Sequence, residues 1–423
     1  MIAPTYNLVL VLCSLVTAVV AKRCADLTIP VRVHARNGVF RNSIPHSNLE
    51  VTQFALGITS ATSNFTDSSL VGYATVKGEA FISAKFCAPE SMPKQPVVQL
   101  LTHGIGFDKT YWDLPYDNFK NSYVDVAVDV HGYCTLAIDR FGIGNSTVAN
   151  PLNIVQAPAT LSTIYEITKM LRTGRLPFIP YRFSKIVHVG HSFGSALTYG
   201  LVAQHPAMSD GIILTGFSLD GTWVGTALAA FDLQLANLNQ PARFGNASSG
   251  LTSQPNMKNL PDGYLTWADI GANEFVSPGQ KFVLSVRTAL TKGISLLKKD
   301  FFAPGDFDLS ALEYSEAHKM PATMGEFLTL GGVPASAPDF KGPVLIITGN
   351  EDEIYCGGNC LAGASPQLPS VLAGAKKAFP HAGAFEAYVQ PNTGHGMNFH
   401  RNTTGLYGVM LEFLEGRGLG VGR

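Results

Sequence analysis

The residue types that acyl-transfer chemistry needs recur in several short segments of this chain, and the first is Gly190-His191-Ser192-Phe193-Gly194. The apolar run Ile186-Val187-His188-Val189 before it reads as a short buried strand, and Ser195 to His205 after it as a helix. A serine on a sharp turn between strand and helix is lifted off the sheet edge, with the next residue's N–H pointing into the same space. Gly190 and Gly194 leave room for that turn. Ser192 would then be a nucleophile, needing a base, a carboxylate to orient the base, and donors for an oxyanion. The plainer reading is an ordinary strand-to-helix turn.

Three other segments carry complementary groups. Val97 to Thr102 reads as a buried strand running into His103-Gly104-Ile105-Gly106, a turn able to present backbone N–H groups. Pro343 to Thr348 is an apolar strand followed by Gly349-Asn350-Glu351-Asp352. Phe385 to Val389 is a candidate last strand, followed by Gln390-Pro391-Asn392-Thr393-Gly394-His395. His395 on a glycine-flanked loop can swing its imidazole over the sheet. His400, five residues on, is read as starting or bracing the last helix.

The chain order Ser192, Asp352, His395 makes this sequence resemble the α/β-hydrolases, specifically a secreted member with an inserted cap. The resemblance spans about residues 70 to 415. It implies that Ser192 attacks, that His395 is general base and then acid, and that Asp352 orients the imidazole. It places the oxyanion donors at the Ile105 and Phe193 N–H groups, with Gly190, Gly194, His103 and Gly104 shaping elbow and loop. Glu351, beside the acid, is expected to face solvent. Asp220, after the strand Gly211 to Thr215, is a second possible acid. Leu136-Ala137-Ile138-Asp139 followed by Arg140-Phe141-Gly142-Ile143-Gly144-Asn145-Ser146 resembles the family's D-x-x-G-x-G-x-S brace, with Asp139 and Arg140 as a structural pair. Epoxide hydrolases and haloalkane dehalogenases of this fold carry Asp at the elbow, so Ser192 speaks against them.

The elements that must position these groups follow from pattern. From residue 97 strands and helices alternate, which implies a mostly parallel central sheet with helices on both faces. The expected strands are 97–102, 135–139, 185–190, 211–215, 344–348 and 384–389, with a helix from Ala157 to Arg172 among the connections. Residues 22–96 read as a β-rich N-terminal edge with strands at 27–34, 72–76 and 80–86 and a polar loop at 59–69. Residues 22–218 and 342–423 form the core. Between them, residues 219–341 break the alternation and read as a helical cap, with helix-like runs at 222–238, 283–299 and 312–329. Trp223, Phe231, Trp267, Phe275, Phe301 and Phe302 stand as pocket walls or as cap core.

Composition bounds the rest. The chain has 423 residues, 46% of them hydrophobic, and a formal net charge of −1, with no Lys/Arg run for a nucleic-acid partner. Residues 1–21 hold an apolar run, Leu8 to Val20, ending at Ala21; it is shorter than a bilayer span and reads as a secretory signal peptide. No positive charge precedes the run, and Lys22-Arg23 follow it as a possible trimming site. A signal anchor is the minor alternative, and no stable membrane span is expected. Sequons at Asn64, Asn145, Asn246 and Asn402 fit export, although Asn145 sits in a tight loop. Cys356 and Cys360 suit a local disulfide beyond Asp352, Cys24 and Cys87 a second, and Cys134 an inert free thiol. No metal site and no cofactor are implied. The expected substrate is a small or medium hydrophobic ester or lactone. Peptidase, thioesterase and C–C hydrolase reactions use the same residues, and a non-catalytic binding protein on this scaffold is the remaining rival.

Overall fold

The computed structural model describes residues 22–60, 62, 64–245, 257–274, 305–332 and 334–422. The signal-like segment 1–21, Asn246, Phe275, Phe301, Phe302 and the helix-like run 283–299 lie outside the described residues.

An eight-stranded sheet carries the fold. Its strands are β1 (Arg23–Phe40), β2 (Leu70–Ala88), β3 (Val97–Thr102), β4 (Cys134–Ile138), β5 (Lys185–His191), β6 (Gly211–Thr215), β10 (Pro343–Gly349) and β11 (Ala384–Gln390). The order across the sheet is β1-β2-β4-β3-β5-β6-β10-β11, with β2 antiparallel to both neighbours and every pair from β4 to β11 parallel. The parallel strands match the expected positions to within a residue. Apart from the half-buried edge strand β11, they are buried on both faces, which is why they read as unbroken apolar runs such as Val97 to Thr102.

The N-terminal edge differs from expectation in several respects, among them a helix at Asn48–Thr59. The segments at 72–76 and 80–86 are one long strand, β2, paired along its length with β1. In β1 alternate residues Leu27, Ile29, Val31 and Val33 are buried while their neighbours face out, the period-2 pattern of a half-buried strand. Its inner face packs on the helix Ala157–Thr173. Gln156 ties the hairpin down by accepting from the Gly38 N–H and donating to its carbonyl, both at 2.9 Å. The polar stretch 59–69 contains a short helix, Phe65–Ser69.

The insertion leaves the sheet after β6 and returns at β10. Its described residues are not purely helical: β7 (Gln234–Leu235), β8 (Tyr264–Thr266) and β9 (Ala322–Thr323) form a three-stranded antiparallel sheet. Strands of two or three residues are too short for alternation to show in sequence, and their pairing spans tens of residues. Val224–Ala230 is a helix within the expected run 222–238 and Leu309–His318 overlaps the run 312–329, but β7 and β9 interrupt those same two runs. After β9, residues 324–341 descend along the core: the helix Met324–Thr329 packs on Ala157–Thr173, and Ala337 and Phe340 are fully buried in the lower core.

Cys24–Cys87 and Cys356–Cys360 are disulfides. Cys134 is a buried free thiol whose pKa burial pushes up to about 12, so it stays protonated. Among the described residues no helix is long and apolar enough to cross a membrane. The Cys24–Cys87 bridge closes a loop of sequence separation 63, against 4 for Cys356–Cys360. Loop-closure entropy therefore makes the first the larger stabiliser, by about 2 kcal/mol. Replacing Cys24 and Cys87 with alanine is expected to lower the urea-unfolding free energy by about 2–4 kcal/mol, more than the same change at Cys356 and Cys360. An equal loss in both pairs would contradict this ordering.

Candidate active site

All the candidate groups gather at the carboxyl ends of neighbouring strands, where ligands bind in open α/β sheets. The oxyanion-loop candidate follows β3, Ser192 follows β5, Asp352 follows β10 and His395 follows β11.

Ser192 occupies the turn between β5 and the helix Phe193–Gln204 with φ 53° and ψ −119°. This left-handed conformation is costly for a residue with a Cβ, and the packing around the turn enforces it. A Cβ on Gly190 would lie 2.5 Å from the Gly194 backbone, and one on Gly194 only 2.2 Å from the Thr102 carbonyl oxygen. The helix can press against β3 and β5 only because both positions are glycine. The Ser192 N–H donates to Thr215 O at 2.8 Å, and Ser192 O accepts from the Ser195 N–H at 2.8 Å. The side chain of Ser192 is half-exposed at the end of the sheet.

Three donors converge on fully buried Asp352. Thr348 Oγ1–H (2.5 Å) and His395 Nδ1–H (2.8 Å) donate to its Oδ2, and the Tyr355 N–H (3.0 Å) donates to Oδ1. With Nδ1 donating, Nε2 of a neutral His395 is the proton-accepting nitrogen. The two loops are zipped together: the Asn350 N–H donates to Gln390 O, and the Glu351 N–H to Thr393 O. A Cβ on Gly349 would sit 1.9 Å from the Thr393 carbonyl oxygen, so the glycine of the G-x-x-D segment is a close-approach residue. Cys356 and Cys360 donate their N–H groups to Asp352 O and Asn350 O, so their disulfide clamps the acid-bearing loop. His400 is buried and its Nε2 accepts from the Gly394 N–H at 3.1 Å, bracing the histidine loop.

The β11 strand lies three strands from β5, about 14 Å at normal strand spacing. The 391–395 loop spans that gap by leaning over β10 and β6. His395 Cε1 would lie 3.1 Å from a Cβ on Gly216, the residue after the carbonyl that holds the Ser192 N–H. His395 and His191 ring centroids are 4.9 Å apart. Asp220, by contrast, is exposed, and its Oδ1 accepts from Thr222 in a local turn. It is not brought to His395. Glu351 is half-buried rather than fully exposed.

On the oxyanion side, His103 Nε2 accepts from the Arg140 N–H at 3.0 Å, which leaves Nδ1–H to donate to Gly104 O at 2.9 Å. Burial, reinforced by the Arg140 charge, holds His103 well below the usual histidine range, so it is neutral and its tautomer is set. In a planar trans peptide the N–H opposes the C=O, so fixing Gly104 O also fixes the direction of the Ile105 N–H. Among the described residues neither the Ile105 nor the Phe193 N–H donates to another protein group.

Asp139 and Arg140 do not pair with each other. Asp139 accepts from Lys109 Nζ (2.8 Å) and from the Lys109 and Asn145 N–H groups (2.9 and 3.0 Å), closing the glycine-rich brace around its carboxylate. Arg140 forms a fully buried ion pair with Glu326 of the insertion. Adjacent side chains on an extended backbone point apart, which sends the two charges to different partners.

Several aromatic neighbours are absent from the sequence reading. Phe107, Tyr111 and Phe399 cluster around His191, with Tyr111 stacked on its ring at 4.3 Å. Their signal is position alone, just past the oxyanion turn and just past His395. Trp267 and Phe231 are buried, with Trp267 packed on Gly106, while Trp223 is partly exposed against Gly357. Among the sequons, Asn64 is exposed. Asn402 donates from Nδ2 to Pro391 O at 2.7 Å, and Asn145 is followed by a fully buried Ser146 whose hydroxyl donates to Asp139 O. Among the described residues no group of three His, Cys, Asp or Glu side chains is arranged to hold a metal ion.

Three histidines, 103, 188 and 191, are fully buried and held low by desolvation, His188 at about 3. The unfolded chain protonates them near pH 6.5, whereas the folded chain does not, so unfolding takes up protons below that pH. Stability is expected to fall on acidification from pH 7 to 5, by up to about 1.4 kcal/mol per pH unit for each histidine. Urea titrations at the two pH values check this, and unchanged stability at pH 5 would contradict it.

Residues 99–404 match the alpha/beta hydrolase family. No curated protein matches the sequence. Solved structures similar to this chain include a thermophilic esterase from Thermogutta terrifontis, at 14% identity over 80% of this chain and 94% of that one, TM-score 0.46. A carboxylesterase structure from the thaumarchaeon Nitrososphaera gargenis aligns at 14% identity over 80% and 96%, TM-score 0.47. An epoxide hydrolase from Vigna radiata aligns at 13% over 80% and 94%, TM-score 0.45. The family match spans most of the sequence and includes Ser192, Asp352 and His395, and this chain belongs to the alpha/beta hydrolase family.

Proposed function

We propose that this hydrolase is an exported serine esterase that cleaves a carboxylic ester or lactone of a small-to-medium hydrophobic substrate. The observation that carries the reading is the His395–Asp352 pair, whose imidazole lies over the residue next to the strained Ser192 turn. In this reading His395 Nε2 takes the Ser192 hydroxyl proton as Oγ attacks the ester carbonyl. The tetrahedral oxyanion forms against the Ile105 and Phe193 N–H groups. Collapse expels the alcohol, which receives the proton from His395, and leaves an acyl-Ser192 ester. A water activated by the same imidazole then releases the acid and restores the hydroxyl. Asp352 keeps Nδ1 protonated and stabilises the imidazolium. The aromatic surroundings, with Phe107, Tyr111, Phe399 and Trp267, favour a substrate with an apolar part. Export is supported by the N-terminal apolar segment, by two disulfides and by an exposed sequon at Asn64.

A fluorophosphonate probe tests the nucleophile directly. Labelling of the wild type at Ser192, lost in Ser192→Ala, is the expected outcome. With p-nitrophenyl acyl esters, Ser192→Ala is expected to lose about 10⁵-fold or more in kcat, and Asp352→Asn about 10³- to 10⁴-fold. A wild type that neither labels nor turns over short-chain esters or lactones would sink the esterase reading.

A further inference from the structure

Arg140 is a buried cation that contacts both the peptide carrying the Ile105 N–H, through Gly104 O, and the ring of Phe193. Its Nη2 lies 3.4 Å from Gly104 O, the carbonyl whose direction sets the Ile105 N–H. Its guanidinium carbon lies 4.9 Å from the Phe193 ring centroid, over the face of the residue that supplies the second N–H. The remaining contact goes to Glu326, and that residue is itself immobilised. Glu326 Oε2 accepts from the Thr323 N–H at 3.0 Å, while the Glu326 N–H donates to Thr323 Oγ1 at 3.1 Å, a reciprocal cap on the helix Met324–Thr329. Thr323 Oγ1 in turn donates to Val155 O at 2.7 Å. The insertion also holds the same loop from above: the Met320 N–H donates to Gly106 O at 2.9 Å, and Trp267 lies against Gly106.

We infer that Arg140 and Glu326 are positioning residues for the oxyanion site, through which the insertion sets the orientation of the Ile105 and Phe193 N–H groups. The inference rests on the serine-hydrolase reading above. Neither residue touches the reacting atoms. A guanidinium is planar and rigid, so it can face a carboxylate, reach a carbonyl and cover a ring at once. A lysine at the same place keeps the charge but has a single point of attachment. The acyl-binding side of the site is then built by the insertion, and the stabilisation of the transition state depends on the insertion as well.

The test compares wild type with Arg140→Lys and with the charge-neutral double variant Arg140→Gln/Glu326→Gln, which leaves no unpaired buried charge and so keeps a folded protein available. Active sites are titrated with a fluorophosphonate, so that each rate refers to molecules with a competent Ser192. Turnover of p-nitrophenyl butyrate is measured together with inhibition by a trifluoromethyl ketone of the same chain length. The ketone adduct places an oxyanion where the tetrahedral intermediate would. The expected result is a fall in kcat per active site of about 10- to 100-fold with KM within about threefold, and a matching rise in Ki. The pH midpoint of kcat/KM stays unchanged, because His395 and Asp352 keep their contacts. A purely structural role would lower the fraction of titratable sites and leave kcat and Ki per site at wild-type values, which overturns the inference. A wild type inert to probe and ester overturns the esterase reading, and this inference with it.

Discussion

The candidate site depends on one unfavourable backbone conformation, the left-handed turn at Ser192. It is held because the helix after it sits against β3 with no room for a Cβ at Gly194, and because the Ser192 N–H is anchored to β6. Relaxing φ at Ser192 would require pulling the helix Phe193–Gln204 off β3 and β5. The strain is therefore local in origin and global in its support. The same close packing brings β3, β5 and β6 into the contact that lets loops from four strands gather at one end of the sheet.

Around that turn, several buried charges and imidazoles have assignable hydrogen-bond roles. His103 accepts from Arg140 and donates to Gly104; Asp352 accepts three times; Asp139 accepts from Lys109 and from its own loop. In a low-dielectric interior such networks fix orientation more than they add stability. The Arg140–Glu326 pair fits this pattern. Burial drives the guanidinium down and the carboxyl up in pKa, so the pair is maintained against desolvation by geometry and mutual attraction.

The inner parallel strands were legible because strands buried on both faces leave continuous apolar runs, and the turns after β5 and β10 because close approach demands glycine at Gly190, Gly194 and Gly349. Both disulfide pairs were legible from spacing and redox context. What stayed hidden has a common physical character. The insertion's small sheet is built from segments too short for periodicity. The partner of Arg140 lies 186 positions away, so adjacency in sequence suggested Asp139 instead. The stacking of Tyr111 on His191 likewise joins β5 to a loop after β3, a contact that only tertiary packing creates.

The path of the insertion sets a limit on how this protein can be altered. The chain leaves at the carboxyl end of β6, yet its neighbour β10 is parallel to it and so begins at the amino ends of the strands. Residues 324–341 cover that distance, so they are a crossover that any parallel sheet must have, whatever stands above it. The insertion before Thr323 is no free appendage either, since Leu235, Trp267 and Leu312 are packed into the main core. The return to the sheet starts at a single helix cap, where Thr323 and Glu326 share two reciprocal hydrogen bonds.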